Sequence, residues 1–69
     1  MKIKDKVFGE CEITHIYVAK SSAIDSYIVS ADSITLDREL TDEEVEKLDE
    51  RHRDIVEEYA YQNGSLNHN

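Results

Sequence analysis

Residues 40–62, LTDEEVEKLDERHRDIVEEYAYQ, carry the clearest structural signal in the chain. Thr41, followed three residues later by Glu44, forms a capping box in which each side chain binds the backbone N–H of the other residue. Apolar residues then recur at the three- and four-residue spacing of one helix face. The stretch predicts one long helix from about residue 42 to about residue 62, and Asn63-Gly64 is its stop signal.

The residues before this helix have the apolar and polar alternation of half-buried strands. From residue 3 to residue 19 the odd positions are mainly apolar, and Gly9 interrupts the run, so one bent strand or two short strands fit. Residues 24–29 resume the strand character, residues 30–33 read as a turn, and residues 34–36 fit a short third strand.

We therefore expect an α+β fold, in which an antiparallel sheet of two to three strands is packed by one long C-terminal helix. A chain of 69 residues has room for one core. We expect residues 1–64 to form a single domain and residues 65–69 to be a disordered tail. The expected core consists of Ile3, Val7, Ile13, Tyr17, Ile24, Ile28, Ile34, Leu36, Leu40, Val45, Leu48, Ile55, Val56 and Tyr59.

The charge of the chain excludes several classes of partner. Asp and Glu number 16 against 8 Lys and Arg, which gives a formal net charge of −8. Direct nucleic-acid binding needs clustered basic residues, whereas the eight in this chain are scattered, so we expect no nucleic-acid partner. No apolar run approaches the roughly 20 residues of a membrane span, so we expect no membrane partner. A lone Cys11 forms no internal disulfide, which favours a reducing, cytoplasmic location. An acidic chain of this kind is suited to a basic surface of another protein.

Catalytic and metal-binding patterns are missing from the sequence. No serine lies in a nucleophile elbow, and the two glycines form no phosphate-binding loop. Cys11 and His15 are four residues apart but supply at most half of a zinc site. We therefore expect no enzyme activity, no cofactor and no metal.

Five acids form a row on one side of the predicted helix, which we call the acidic stripe: Glu43, Glu46, Glu50, Asp54 and Glu57. Like charges four residues apart cost roughly 0.2–0.5 kcal/mol per pair in an isolated helix. The row is either a solvated face or a surface that binds a basic partner. At 1.5 Å per residue it extends about 21 Å, with a charge roughly every 4–5 Å. One strand of B-DNA carries a phosphate about every 3.4 Å, so imitation of DNA is a further hypothesis.

A second set of helix residues has the spacing of a coiled-coil seam. Small domains without disulfides often need such support, so a homodimer formed around a two-fold axis is an alternative expectation. The self-association residues would be Val45, Leu48, His52, Ile55 and Tyr59.

Residues 33–48, SITLDRELTDEEVEKL, resemble a pattern common in small acidic phage and prophage accessory proteins, in which a short strand runs into an E-L-T-D-E-E helix start. The resemblance implies a phage protein that acts in the host cytoplasm and inhibits a host enzyme or defence protein by binding it. Some acidic members of this group resemble anti-restriction and anti-CRISPR proteins that imitate DNA. The pattern brings no catalytic residues. The expected function is therefore a non-catalytic inhibitor, and the alternative is a small structural or assembly module.

Overall fold

The computed structural model describes residues 1–65. They form an α+β fold in which an antiparallel sheet with the strand order β1-β2-β3-β4 packs against two helices. Helix α1 packs mainly on β3, and α2 contacts a 3₁₀ turn. The elements are β1 (Lys2–Asp5), β2 (Gly9–Tyr17), the 3₁₀ turn (Ala23–Asp25), β3 (Tyr27–Ser33), β4 (Arg38–Glu39), α1 (Asp42–Arg51) and α2 (Arg53–Gln62).

The expected count of two to three strands is wrong, because residues 1–65 contain four strands. Residues 30–33 belong to β3, and residues 34–36 lie in the loop before β4. Local hydrogen bonds produce this loop: the Leu36 N–H donates to the Ser33 hydroxyl at 2.9 Å, and Asp37 adopts a positive φ of 55°. Ile34 and Leu36 are therefore exposed, although the sequence pattern placed both in the core.

A turn at residues 6–8 divides the first apolar run into two strands. The Asp5 carboxylate accepts hydrogen bonds from the N–H groups of Val7 and Phe8, each at 2.9 Å. Gly9 then takes a φ of +72°, and a Cβ on it would lie 2.4 Å from the Thr35 hydroxyl oxygen. The turn buries Phe8 and leaves Val7 exposed, so the expectation that Val7 is in the core is wrong.

An irregularity in the β2–β3 pairing changes which side chains of β2 face the helices. The register shifts on both sides of His15. Ile13 is buried and Ile16 packs against the same core, three residues later instead of two. Tyr17 is consequently exposed, which corrects its expected place in the core.

The core lies between the sheet and the helices. Seven expected members are buried, namely Ile3, Ile13, Ile28, Leu40, Val45, Leu48 and Val56. Ile24 and Ile55 are exposed instead, and Tyr59 is half-buried. The core cluster also contains three residues that the pattern did not identify, which are Phe8, Cys11 and Ala31.

The predicted helix start is confirmed. The Thr41 hydroxyl accepts the Glu44 N–H at 3.2 Å, and the Glu44 carboxylate accepts the Thr41 N–H at 2.9 Å. The expectation of one uninterrupted helix is wrong, because His52 leaves the helical conformation with φ −123° and ψ 36° and separates α1 from α2.

The end of the helical region differs from expectation at Ser65. We expected a disordered tail at residues 65–69. Ser65 is buried, its N–H donates to the Ala60 carbonyl at 3.0 Å, and its hydroxyl donates to the Ala19 carbonyl. The expectation for residues 66–69 lies outside the described residues.

Candidate protein-binding surface

The acidic stripe is mostly exposed, and most of its carboxylates are unpaired within residues 1–65. Glu43, Glu46, Glu50 and Asp54 are exposed, and within residues 1–65 none of their carboxylates has an ion pair or hydrogen bond. Glu57 differs from these four, because it is half-buried and accepts a hydrogen bond from Arg53 at 3.3 Å. Four of the five expected residues therefore form an uncompensated acidic surface.

The two arginines of the helices bind groups beneath this surface. Arg51 donates from Nε and Nη2 to the buried Asp5 carboxylate, both at 2.9 Å. Arg53 binds Asp49 at 2.9 Å and donates to the carbonyl of Ile24 at 2.8 Å, which ties α2 to the 3₁₀ turn. Both helix arginines are therefore engaged away from the acidic stripe, whereas exposed Lys47 of α1 has no ion pair within residues 1–65.

Two helix acids outside the stripe form ion pairs with arginines. Arg38 donates two hydrogen bonds to Glu44, at 2.7 and 2.8 Å, and lowers the pKa of that carboxyl to about 2. Asp49 accepts the Arg53 guanidinium and also the Ile28 N–H, at 3.2 Å. Paired acids thus lie towards the sheet, whereas the exposed acids of the stripe remain unpaired.

A buried carboxylate lies at the break between α1 and α2. Asp5 accepts Arg51 on both oxygens and the His52 Nε2–H on Oδ1 at 2.9 Å. Arg51 is the last residue of α1 and His52 is the residue between the helices, so the break lies at this carboxylate. The acidic stripe consequently crosses two helices, with Glu43, Glu46 and Glu50 on α1, and is not a single straight row.

The Asp5, Arg51 and His52 cluster is the main polar feature that the sequence reading missed. Hydrogen bonds from Arg51 hold the pKa of Asp5 well below its usual range, against the opposing effect of burial. An ionised carboxylate only accepts, so His52 presents a protonated Nε2. The available signal was an acid at an inward-facing strand position, which needs a partner when it is buried. The buried Cys11 thiol lies near this cluster: burial raises the pKa of the thiol, Asp5 adds to the increase, and Arg51 opposes it.

The cysteine and histidine that could have formed half of a zinc site lie in different environments. Cys11 is fully buried, its thiol points at the carbonyl of Gly9 at 3.6 Å, and burial raises the pKa of that thiol. His15 is exposed and lies between the two register shifts. Among the residues that the structure describes, no three His, Cys, Asp or Glu side chains are grouped to hold a metal.

The residues expected to mediate self-association are not on one free face. Val45 and Leu48 are buried in the core of the single chain, and His52 is bound to Asp5. Ile55, with 36% of its surface exposed, and the half-buried Tyr59 are the members with surface left for a second copy.

A groove of about 410 Å³ lies between α1 and β3, and we call it the α1–β3 groove. It has an apolar floor and a carboxylate rim, and Glu46 belongs both to this rim and to the acidic stripe. The groove is lined by Tyr27, Ile28, Val29, Asp42, Val45, Glu46 and Asp49.

Comparison with known proteins leaves the site to be interpreted from its own geometry. No protein-family model, curated protein or solved structure matches the chain. Neither α1 nor α2, the helices of residues 1–65, is long and apolar enough to cross a membrane. The chain thus has an α+β fold with an exposed helix surface whose acids are mostly unpaired within residues 1–65.

Proposed function

We propose that this protein is a non-catalytic binding protein that blocks a basic surface of another protein through its acidic stripe. The observation that carries the proposal is the distribution of charge: within residues 1–65, Glu43, Glu46, Glu50 and Asp54 are exposed without ion pairs. The arginines of the same helices are directed instead to Asp5, Asp49 and Glu57.

This arrangement favours binding over a purely solubilising role. A surface that serves only stability gains from alternating charges, because like charges four residues apart repel one another. The stripe keeps such pairs at Glu46–Glu50 and Glu50–Asp54. A basic partner would relieve this repulsion on binding, and the surrounding negative field would accelerate its approach.

The spacing of the stripe supports a more specific form of the proposal, in which the protein occupies a DNA-binding groove. Four unpaired carboxylates follow one another along α1 and into the first turn of α2, as phosphates do along a strand of DNA. The sequence resemblance to phage accessory proteins points the same way, towards inhibition of a host enzyme or defence protein of the anti-restriction or anti-CRISPR class. A bacterial lysate is therefore the source from which candidate partners should be captured.

The test compares the wild type with a triple charge reversal, Glu46→Lys, Glu50→Lys and Asp54→Lys. Any protein retained from the lysate by the wild type is purified, and its affinity is measured as the salt concentration rises. We expect the reversal to abolish binding and salt to weaken it, because exposed charges are screened over about 8–10 Å at moderate ionic strength. If the partner binds DNA, the wild type should also displace DNA from it.

A matched control carries the same change in net charge at residues outside α1 and α2: Asp25→Lys, Asp32→Lys and Glu39→Lys. These three acids have no ion pair within residues 1–65. The control should retain the partner. Loss of binding in both triple variants would reduce the effect to net charge, and retention by the stripe reversal would show that the stripe is only a solvated face.

A further inference from the structure

The α1–β3 groove exists because β4 is short. Strand β4 pairs with Asp32 and Ser33 alone among the residues of β3, after which the chain turns into α1. The part of β3 from Tyr27 to Ser30 therefore has no β-strand from residues 1–65 on that side. Helix α1 lies beside it instead and leaves a groove that follows the strand direction.

Apolar surface is accessible in this groove. Val29 is 44% exposed and Tyr27 is 49% exposed, whereas Ile28 and Val45 close the floor with 4% and 5% exposure. The Tyr27 ring also packs against Tyr17, with 5.1 Å between ring centroids, which fixes one wall. An apolar side chain placed here would cover surface that now contacts water.

The rim of the groove combines one occupied carboxylate with two unoccupied ones. Asp49 already accepts hydrogen bonds from the Ile28 N–H and from Arg53. Asp42 and Glu46 are exposed, and within the described part of the chain neither side chain has an ion pair or hydrogen bond. They are four residues apart on α1, so both carboxylates face the same side and repel one another.

We propose that the α1–β3 groove receives an extended segment of the partner that carries arginine or lysine next to apolar residues. The inference rests on the proposed function and specifies where and what the protein recognises. A cation between Asp42 and Glu46 neutralises their repulsion, and a neighbouring apolar side chain covers Val29. The groove runs beside a strand segment without a neighbouring strand, which suits an extended conformation.

This recognition differs physically from imitation of DNA. A protein groove that binds phosphates needs charge alone from the inhibitor, and exposed Val29 and Tyr27 would contribute nothing to it. A groove-bound segment needs both the apolar floor and the two carboxylates. The two modes are therefore separated by the response to loss of apolar contact.

The experiment uses the full chain labelled with ¹⁵N and a capped synthetic peptide in which arginine and leucine alternate. Two control peptides replace every arginine by uncharged citrulline or every leucine by serine. We expect the parent peptide to shift the amide resonances of Val29, Val45 and Glu46 in a saturable manner. Both control peptides should bind about tenfold or more weakly, because each lacks one of the two required contacts.

Two double variants with the same change in net charge test where the peptide binds. Asp42→Asn with Glu46→Gln removes the free carboxylates of the groove, and Glu50→Gln with Asp54→Asn removes two carboxylates of the stripe outside it. We expect about a tenfold or larger loss of affinity for the groove pair and about a twofold loss at most for the stripe pair. Val29→Ser should weaken binding without changing the charge.

The outcomes distinguish this inference from the function on which it rests. Equal losses for the two variant pairs, shifts centred on Glu50 and Asp54, or no shift with the parent peptide would overturn the groove as the recognition site. Each of these results leaves the lysate and charge-reversal test of the acidic stripe unaffected. Failure of that test together with groove binding by the peptide would instead discard the stripe and retain the groove.

Discussion

At the scale of single residues, the buried Asp5 carboxylate joins parts of the chain that are 46 residues apart. It accepts five hydrogen bonds, from the N–H groups of Val7 and Phe8, from two nitrogens of Arg51 and from His52. Its side chain is fully inaccessible, and the Arg51 guanidinium also lies 5.3 Å from the Phe8 ring centroid. One residue thus shapes the first turn and the junction between the helices.

We expect Asp5→Asn to be strongly destabilising. An asparagine would direct an amide donor towards partners that are all donors, and removing one partner of a buried ion pair costs about 3–5 kcal/mol. Cores of this size rarely supply more than about 3–5 kcal/mol, so the variant should be largely unfolded by far-UV circular dichroism. Exposed Asp25→Asn should keep the wild-type melting temperature. A folded Asp5→Asn protein with unchanged stability would contradict the role given to this residue.

The stability of the wild type should fall in acid. The pKa of Asp5 is lowered from 3.8 by Arg51, and the pKa of Glu44 is lowered from 4.5 to about 2 by Arg38. Above their ordinary pKa values, both carboxylates make their full contribution to the stability of the fold. This contribution is lost as the pH falls towards the pKa values of the folded state. Denaturant titrations should show a decreasing free energy of unfolding from about pH 4.5 to pH 2 and below. The Glu44→Gln variant should keep only the part of the decrease that comes from Asp5, at the lower pH values. A free energy of unfolding that does not change with pH in the wild type would contradict the prediction.

At the scale of elements, short local signals fix the ends of helices and turns. The capping box at Thr41 and Glu44 satisfies backbone groups at the start of α1, where three acids also favour the helix dipole. Gly9 begins β2 with a positive φ and lies against Thr35, whose hydroxyl accepts the Glu10 N–H at 2.9 Å. The same glycine therefore serves both a turn and the contact between two loops.

Thr41→Ala should reduce the free energy of unfolding by about 0.5–2 kcal/mol, because the Glu44 N–H loses its acceptor. Thr41→Ser keeps a hydroxyl at the same position and should restore most of the loss. Chemical denaturation of the three proteins measures the difference. Equal stability of the alanine and serine variants would show that the cap hydrogen bond does not stabilise α1.

Gly9→Ala should destabilise the fold more than Gly64→Ala. Both glycines have positive φ values, +72° and +110°, so each alanine incurs backbone strain of about 1–3 kcal/mol. Only the alanine at position 9 also collides with Thr35, since a Cβ at position 64 meets nothing within 4 Å. Overpacking adds about 1–3 kcal/mol, and thermal unfolding of the two variants measures the excess. Equal losses would show that the Thr35 loop moves away at no cost.

At the scale of the whole molecule, paired and unpaired acids are separated. Arginines of the helices bind buried or inward-facing acids, and the exposed acids of the stripe are left unpaired within residues 1–65. The molecule is elongated, with extents of 37 × 18 × 17 Å. One side of α1 thus presents the acidic stripe, and Glu46 links it to the α1–β3 groove.

We expect the protein to sediment as a monomer from low to high micromolar concentration. The coiled-coil seam considered for a homodimer requires Val45 and Leu48, and both are already buried in the core of one chain. Ile55 and Tyr59 alone offer a small contact area. Analytical ultracentrifugation over a concentration series measures the mass, and Ile55→Ser provides the control. Dimerisation that Ile55→Ser abolishes would restore the assembly hypothesis.

The sequence by itself determined the features that depend on neighbours a few residues away. The α+β class, the start of α1 at Thr41 and Glu44, and the row of helix acids all follow from local spacing. Such patterns are readable because capping and side-chain periodicity act within one or two turns. They placed the five acids of the stripe on the helical segment, but the spacing alone did not show which acids would be paired.

Only the tertiary structure decided the features that depend on distant partners. The register shift around His15 moved Tyr17 out of the core, because strand pairing, and not strand pattern, sets which face each side chain takes. Arg51 and His52, at the interruption of the helix, bind Asp5, because a buried charge must be satisfied by the donors that the fold brings to it. The α1–β3 groove likewise arises from where β4 ends beside β3, which no local pattern in the chain specifies.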